Sequence, residues 1–479
     1  MPGYQLSYEE HAAIYSAALV ILFRAVREVA PWLIQQLPPV VCRRLVIYCA
    51  GLCLLRKYQT SLGIARQLGG CSHDALTRLM QSTQWTVRQL MLSCVQIALT
   101  IASGTPQPCW LILDDVILPK SSSKKMRAAY WDYDYVHDRN IRCLRVVVVC
   151  WTNGLITIPV AWALWHKKGC AYLQETGKRF RTKNELARLL VYGLVRKGLP
   201  FDFLLFDSWY AGAEHLRWYH RRGIHFVTAL KNNRTVRLLG VPLSQRPQRI
   251  RKDTPVWTTS TPYQLAGEHP ASRDYHYYPA LGCRTRRWEI TLEGFQDVLS
   301  LVCIKNYAAN PTFQDLVTPA EKKQKDPNKY LLTNDTDLSV VEIVTWYRRR
   351  WSIEVLFRDC KQFLGLSAYQ GQTVETHARH IACVFFSYVL MQQMKPSAQS
   401  ASRKAHTLTL GHVKEWLNRQ YLLRTSCTPR SEVSVIPLSR LSEPQLIALL
   451  EEAETLEETK NPDSSQLQHY KYIELMMAS

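Results

Sequence analysis

Among the 14 cysteines of this 479-residue chain no two form a Cys-x-x-Cys pair, so neither a zinc ribbon nor a dithiol redox motif is spelled out. Cys42, Cys49, Cys53, Cys94, Cys143, Cys150, Cys303 and Cys383 lie in apolar contexts that suit small core residues, and reduced thiols in a cytoplasmic protein are the expectation. His377-x2-His380 and the trio His215, His220 and His225 come without a matching set of Cys or acidic ligands, which argues against zinc. Long apolar runs are missing as well. Segment 381–394 is too short to span a bilayer and 146–165 is broken by Asn153-Gly154 and Pro159. The first residues mix acidic and polar side chains ahead of an apolar helix, unlike a signal peptide, so no membrane segment is expected. Acidic residues are scarce beside basic ones, 39 against 60, and a net charge of +21 with pI near 9.4 fits a chain that binds polyanions. Basic runs stand at SSSKKMR, KRFRTK, RPQRIRK and YRRRW.

The most informative stretch is TWYRRRWSIEVLFRDCKQFLGL, which contains Tyr347-x2-Arg350-x3-Glu354-x6-Lys361. At about 100° per residue, helical offsets of 0, 3, 7 and 14 fall within about 60° of one another, so the four polar groups share one stripe. Ile353, Leu356, Phe357 and Phe363 form the opposing apolar stripe. Two earlier apolar runs end in acids: 110–115, finishing in Asp114-Asp115, and 201–207 (FDFLLFD), finishing in Asp207. Both read as central strands delivering a carboxylate to a sheet edge. Between them RVVVVCWT and LITIPVAWALW flank Asn153-Gly154, a hairpin signal, and a helical pattern over 184–197 ends at Gly198.

The spacing resembles the Y-R-E-K signature of IS4-type DDE transposases, and the order strand, hairpin, helix, acidic strand, helix, acidic helix is similar to their RNase H-like core. The resemblance implies that Glu354 is the third metal-binding carboxylate after Asp114 and Asp207. It also implies that Tyr347, Arg350 and Lys361 handle DNA phosphate. Adjacent strand residues face opposite ways, so one member of the Asp114-Asp115 pair is the ligand. The family's D-x-T pattern, with a lysine following, favours Asp114, with Val116 in place of Thr and Lys120 as the lysine; Asp115 is the alternative. Three acids gathered without a cation would repel, whereas two Mg²⁺ or Mn²⁺ ions about 3.5–4 Å apart stabilise both the attacking and leaving oxygens of a phosphodiester displacement.

From Asp114 to Asp207 is 93 positions and from Asp207 to Glu354 is 147, more than a helix and a strand consume. The excess holds short β-rich runs, and the family places a β-domain there, in which an aromatic stacks on a displaced base. Trp257 and Trp288 are the candidates, with ordinary core packing as the alternative. Lys231 and Arg234, in HFVTALKNNR, are further DNA-binding candidates. In the N-terminal region Ser61–Leu68, Gly69-Gly70 and 72–81 read as helix, turn and capped helix, which is helix-turn-helix grammar with His73, Thr77 and Arg78 available to a groove; a plain αα-hairpin has the same pattern.

The expected fold class is α/β, an RNase H-like mixed sheet flanked by helices, with an all-α N-terminal domain and a β-rich insertion. Its pieces are a helical domain over 1–105, the core over 106–231 and 336–395, the insertion over 232–335, and a linker with helices over 396–479. The expected function is metal-dependent strand cleavage at insertion-sequence ends and strand transfer. Its partners are double-stranded DNA, both inverted repeats and target, and a second copy of the chain in a synaptic complex. A transposase-derived DNA-binding protein or a nuclease without strand transfer are the alternatives.

Overall fold

The computed structural model describes residues 25–26, 30–68, 71–104, 108–120, 125–134, 138–238, 258–267, 275–292, 295–317, 326–395 and 409–426. Trp257, the basic run at 246–252, the linker at 396–408 and the helical pattern at 443–458 lie outside them. The chain divides into a helical unit, Met1–Pro106 with Arg358–Ser479, and an α/β unit, Gln107–Phe357.

The helical unit begins with α1 (Pro31–Gln36), α2 (Pro39–Leu54), α3 (Ser61–Leu68), α4 (His73–Gln81) and α5 (Val87–Ser103). Prolines in the first turns of α1 and α2 cost no hydrogen bond there. Ser72 caps α4 by accepting from the Ala75 N–H at 3.2 Å, and Thr86 with Gln89 forms a capping box on α5. His73 and Arg78 are exposed on α4, as a groove-reading helix or a plain hairpin would have them.

The α/β unit opens with β1 (Trp110–Pro119), β2 (Tyr130–Asp134), β3 (Arg139–Thr152), β4 (Thr157–Trp165), α6 (Ala171–Thr176), α7 (Lys183–Val195), β5 (Phe203–Phe206), α8 (Ala213–His220) and β6 (Phe226–Leu230). Strand order runs β4-β3-β1-β5-β6; the pairs among β4, β3 and β1 are antiparallel, and β1-β5 and β5-β6 are parallel. That is the RNase H-like order. β3 is long enough to pair with β2 over its first residues and β4 over its last. The β3-β4 turn relies on Gly154, whose φ of +87° is costly for a residue with a Cβ, and Asn153 Oδ1 accepts from the Leu155 and Ile156 N–H groups at 3.1 Å each.

The segment expected to form an insertion supplies β7 (Val236–Leu238), β8 (Thr258–Ser260), α9 (Pro262–Gly267), β9 (His276–Tyr278), β10 (Cys283–Leu292), β11 (Phe295–Ile304) and β12 (Lys329–Thr333). It is β-rich, but its strands continue the core sheet, because β12 pairs antiparallel with β6 on one side and β11 on the other. Helices α10 (Val340–Arg349) and α11 (Trp351–Phe363) follow, then α12 (Val374–Gln393) and α13 (Leu410–Ser426).

The stretch 336–395 is not one piece of the core: the division falls between Phe357 and Arg358, within α11. The physical reason is α12, which is apolar nearly all round, buries Ile381, Val384, Phe385, Tyr388 and Val389, and packs on α2, α4 and α5. His380 there is a structural residue, its ring nitrogens 2.9 Å from Tyr48 Oη and 3.0 Å from the Gly365 carbonyl. No described helix is long and apolar enough to cross a membrane.

Candidate active site

The apolar run 110–113 is buried on both faces of the sheet, and β1 carries its two aspartates out of that core. In the β1-β5 register Leu113 stands opposite Phe206, so Asp114 and Asp207 both come one residue later at the same edge. Being neighbours on a strand, Asp114 and Asp115 leave by opposite faces.

Asp114 faces like charge. Burial first, then the carboxylates of Asp207, Asp115 and Glu354, push its carboxyl well above the usual range, against the pull of Arg350. The Arg350 guanidinium donates through Nη1 to Asp114 Oδ2 at 3.1 Å and through Nη2 to Glu354 Oε1. Burial alone would lower the pKa of this guanidinium; Tyr347, Glu354, Asp114 and Asp207 together raise it. Three acids from β1, the turn after β5 and α11 are therefore grouped about one cation.

The signature segment is not a single helix. At Arg350 the hydrogen bonding tightens: the Arg350 N–H reaches the Tyr347 carbonyl at 3.0 Å and the Ile353 N–H reaches the Arg350 carbonyl at 3.2 Å, both three residues back. The Arg350 backbone stays in the right-handed helical region through this tighter turn, and Arg350 meets both Tyr347 and Glu354. Arg350 turns inward between Asp114 and Glu354, and Tyr347 is buried, its ring centroid 5.7 Å from the Arg350 guanidinium carbon. Ile353, Leu356 and Phe357 are buried as the apolar stripe requires. Lys361 is exposed, seven residues beyond Glu354 on α11.

Asp115 has a different environment. Arg145 Nη1 donates to its Oδ2 at 2.5 Å, and Lys183 Nζ and Tyr210 Oη donate to its Oδ1 at 2.9 Å each. Burial alone would raise its pKa, but Lys183 and Arg145 hold it below the usual carboxylate range. Arg145 also binds Asp132 on β2, at 2.5 Å. This network was not legible in advance. Its one local signal is Arg145 itself, a charge at the head of the apolar run RVVVV.

The other expected DNA contacts differ in exposure. Lys120, a DNA-binding candidate by its place after the acid pair, is 2% exposed, and burial pulls its ammonium down to about 8. Lys231 is exposed, Arg234 half-buried and Arg78 exposed. Trp288 is half-buried on β10, with the Arg286 guanidinium 5.0 Å from its ring. Trp257 lies outside the described residues.

Carboxylate oxygens are the donors that Mg²⁺ and Mn²⁺ prefer, and the mutual repulsion raising Asp114 is what a divalent ion would relieve. The donor set fits in chemistry. As placed, Arg350 stands between two of the acids, and among the described residues no group of three or more His, Cys, Asp and Glu is arranged to hold an ion.

An RNase H-like sheet with acids at the ends of its adjacent first and fourth core strands, and a third acid on a following helix, defines the DDE class of nucleic-acid enzymes. Residues 33–281 match the family described as DDE superfamily endonuclease, and the chain belongs to that family. Residues 181–390 match the family described as transposase DDE domain, whose members generally use divalent metals. A curated relative, a probable transposase for insertion sequence element IS701 from Microchaete diplosiphon, is 23% identical over 192 residues, 38% of this chain. The chain spans about half of that relative's length, 47%. Among solved structures a piggyBac transposase synaptic complex with hairpin DNA has a TM-score of 0.40 and 10% identity, covering 91% of this chain and 84% of that one. These comparisons reach the DDE family and stop short of the IS4 group.

Proposed function

We propose that this protein is the transposase of an insertion sequence, cutting DNA at the element's ends and joining the freed 3′ end to target DNA, with Asp114, Asp207 and Glu354 as its working acids. The reading is carried by the grouping of these three carboxylates around Arg350 in a chain of the DDE family. Two Mg²⁺ or Mn²⁺ ions held by the three acids would supply Lewis-acid stabilisation of the attacking and leaving oxygens. Asp114 and Asp207 sit at the ends of neighbouring strands in a rigid sheet, which fixes their spacing, while Glu354 approaches from a helix. Arg350 balances their charge and can donate to a phosphate oxygen entering the site. Lys361 holds phosphate further along the strand. Positioning of this kind supplies much of what phosphoryl transfer needs. The excess of basic residues draws the chain to DNA in a salt-dependent manner.

The expected partners are the terminal inverted repeats, target DNA and a second copy of the chain, in a cytoplasmic, nucleoid-bound complex. Assignment to the IS4 group rests on the Tyr347-Arg350-Glu354-Lys361 spacing. The test is an excision assay in cells. A plasmid marker interrupted by the DNA that flanks this gene is supplied with the protein, and restored markers and new insertions are sequenced. Excision with reinsertion supports the proposal; cutting without any joined product reduces it to a nuclease, and no cutting at all overturns it.

A further inference from the structure

We infer that a basic cleft at the far end of β1, built by Lys125, Arg142 and Lys167, holds the backbone of duplex DNA about five base pairs from the bond being cut. The inference rests on the DNA-cleaving reading above, which gives these residues no part. In the β1-β3 register Asp114 stands opposite Val148 and Pro119 opposite Cys143, and the Lys120 N–H then donates to the Arg142 carbonyl at 2.8 Å. Counted by twos along β3, 148 leads to 142, so Arg142 leaves the sheet by the face that carries Asp114. Trp131, opposite Arg142 on β2, shares that face. From Asp114 to Pro119 the strand rises roughly 17 Å, which is about the rise of five base pairs.

The cleft has a volume of about 450 Å³, and its described lining includes Lys125, Arg127, Arg142 and Lys167 and no acidic residue. Arg142 organises it. Its Nη2 donates to the Met126 carbonyl at 2.7 Å, which ties the loop bearing Lys125 to β3, while its Nε is buried with no partner among the described residues. Lys167 Nζ donates to the Trp131 carbonyl at 3.2 Å, which brings the segment after β4 against β2. Arg127 is paired with Glu175, so Lys125 and Lys167, both exposed, and Arg142 supply the unbalanced charge. A merely solvated basic face would let such side chains spread apart. Here three chain segments are pinned so that like charges stay together, at a cost in repulsion that a polyanion removes. Ammonium and guanidinium donors round one cleft suit phosphate oxygens, which accept charge-assisted bonds. The distance from Asp114 rules out the reacting phosphate as the occupant, and leaves the duplex that runs up to it.

The test uses the full chain and a duplex spanning the gene's flanking inverted repeat, with one uncharged methylphosphonate linkage placed in turn at each position near the cleaved bond. Binding is measured in EDTA over a range of salt. Wild type should lose about 5-fold in affinity, at about 0.15 M salt, when the linkage stands about five base pairs from the cleaved bond. The double variant Lys125→Ala, Lys167→Ala should lower the salt slope by about 1.8 and lose nothing further at that linkage. Arg142→Gln, which unties the loop, should also lose the effect of that linkage. Arg196→Ala with Lys197→Ala, exposed in the turn that leads to the start of β5, away from Asp207, is the control and should leave the linkage pattern as in wild type. Thermal unfolding reports whether each variant keeps its fold. The inference is overturned if the folded double variant keeps the wild-type salt slope or the wild-type linkage pattern, or if wild type responds to no linkage away from the cleaved bond. Failure of the underlying reading is a separate result: wild type then does not cleave the unmodified duplex in Mg²⁺, an experiment apart from the binding series.

Discussion

Replacing each member of the Asp114-Asp115 pair should separate stability from chemistry. Asp115 is 8% exposed at its side chain and is bound by Arg145 at 2.5 Å and Lys183 at 2.9 Å, with Tyr210 Oη as a third donor. Asp115→Ala leaves Lys183 without its carboxylate in a buried position, while Arg145 keeps Asp132. Breaking a buried pair from one side costs about 3–5 kcal/mol, and Arg145's second partner places the expectation at the lower end. For a unit of this size about 3 kcal/mol corresponds to a drop in melting temperature of about 6–12 °C. Asp114→Asn removes one of several mutually repelling acids and leaves an amide oxygen that still accepts from Arg350, so stability should stay within about 1 kcal/mol of wild type. Thermal and urea unfolding in EDTA, with strand cleavage measured on the same preparations, gives the comparison. Asp115→Ala should be less stable and Asp114→Asn inactive. A stable Asp115→Ala beside a strongly destabilised Asp114→Asn would refute the assignment of the two faces.

His215, 1% exposed beneath Phe206 and Tyr219, is held by burial down to about 3 and is neutral when folded. The unfolded chain takes up its proton near pH 6.5, so this stability is complete above that pH and is lost as pH falls toward 3; at pH 5 the loss is about 2 kcal/mol, and His215→Phe should lack it in urea titrations at pH 5 and 7. Arg350→Ala should lower the melting temperature in EDTA, by leaving Asp114 and Glu354 without their cation, and excess Mg²⁺ should restore most of it; no greater Mg²⁺ response than wild type would contradict the role given to Arg350. Lys361→Ala should impair cleavage far more than affinity, whereas the exposed Lys231→Ala should weaken binding slightly and lower the salt slope by about 0.9. Proportionate losses in both variants would make Lys361 ordinary basic surface.

Much of the core was readable because its signals are local. An apolar run ending in acids marks a central strand, and β1 and β5 lie where 110–115 and 201–207 predict them. Asn153-Gly154 marks the hairpin, and Thr182 with Glu185 forms the box that starts α7. What escaped depends on distant partners. β2 is a short edge strand with half-polar residues, visible only once β3 is long enough to pair with it. That β12 closes onto β6 is a matter of register between strands 100 positions apart, which no local pattern encodes. The bond from Arg350 to Asp114, 236 residues away in sequence, is another such contact, while an i, i+4 view finds only Glu354. Lys125 was written in SSSKKMR, but the cleft it shares with Arg142 and Lys167 is a tertiary fact.

The claim that three acids form one metal-dependent cutting site is tested most directly by strand cleavage of an end-labelled inverted-repeat duplex, in Mg²⁺ and in EDTA, by wild type, Asp114→Asn, Asp207→Asn, Glu354→Gln and Asp115→Asn. DNA binding is measured in parallel. The account predicts cleavage by wild type in Mg²⁺ alone, its loss in each of the first three variants with binding nearly intact, and retained cleavage in folded Asp115→Asn. Undiminished cleavage by any of the first three, or an active Asp114→Asn beside an inactive but folded Asp115→Asn, would contradict it.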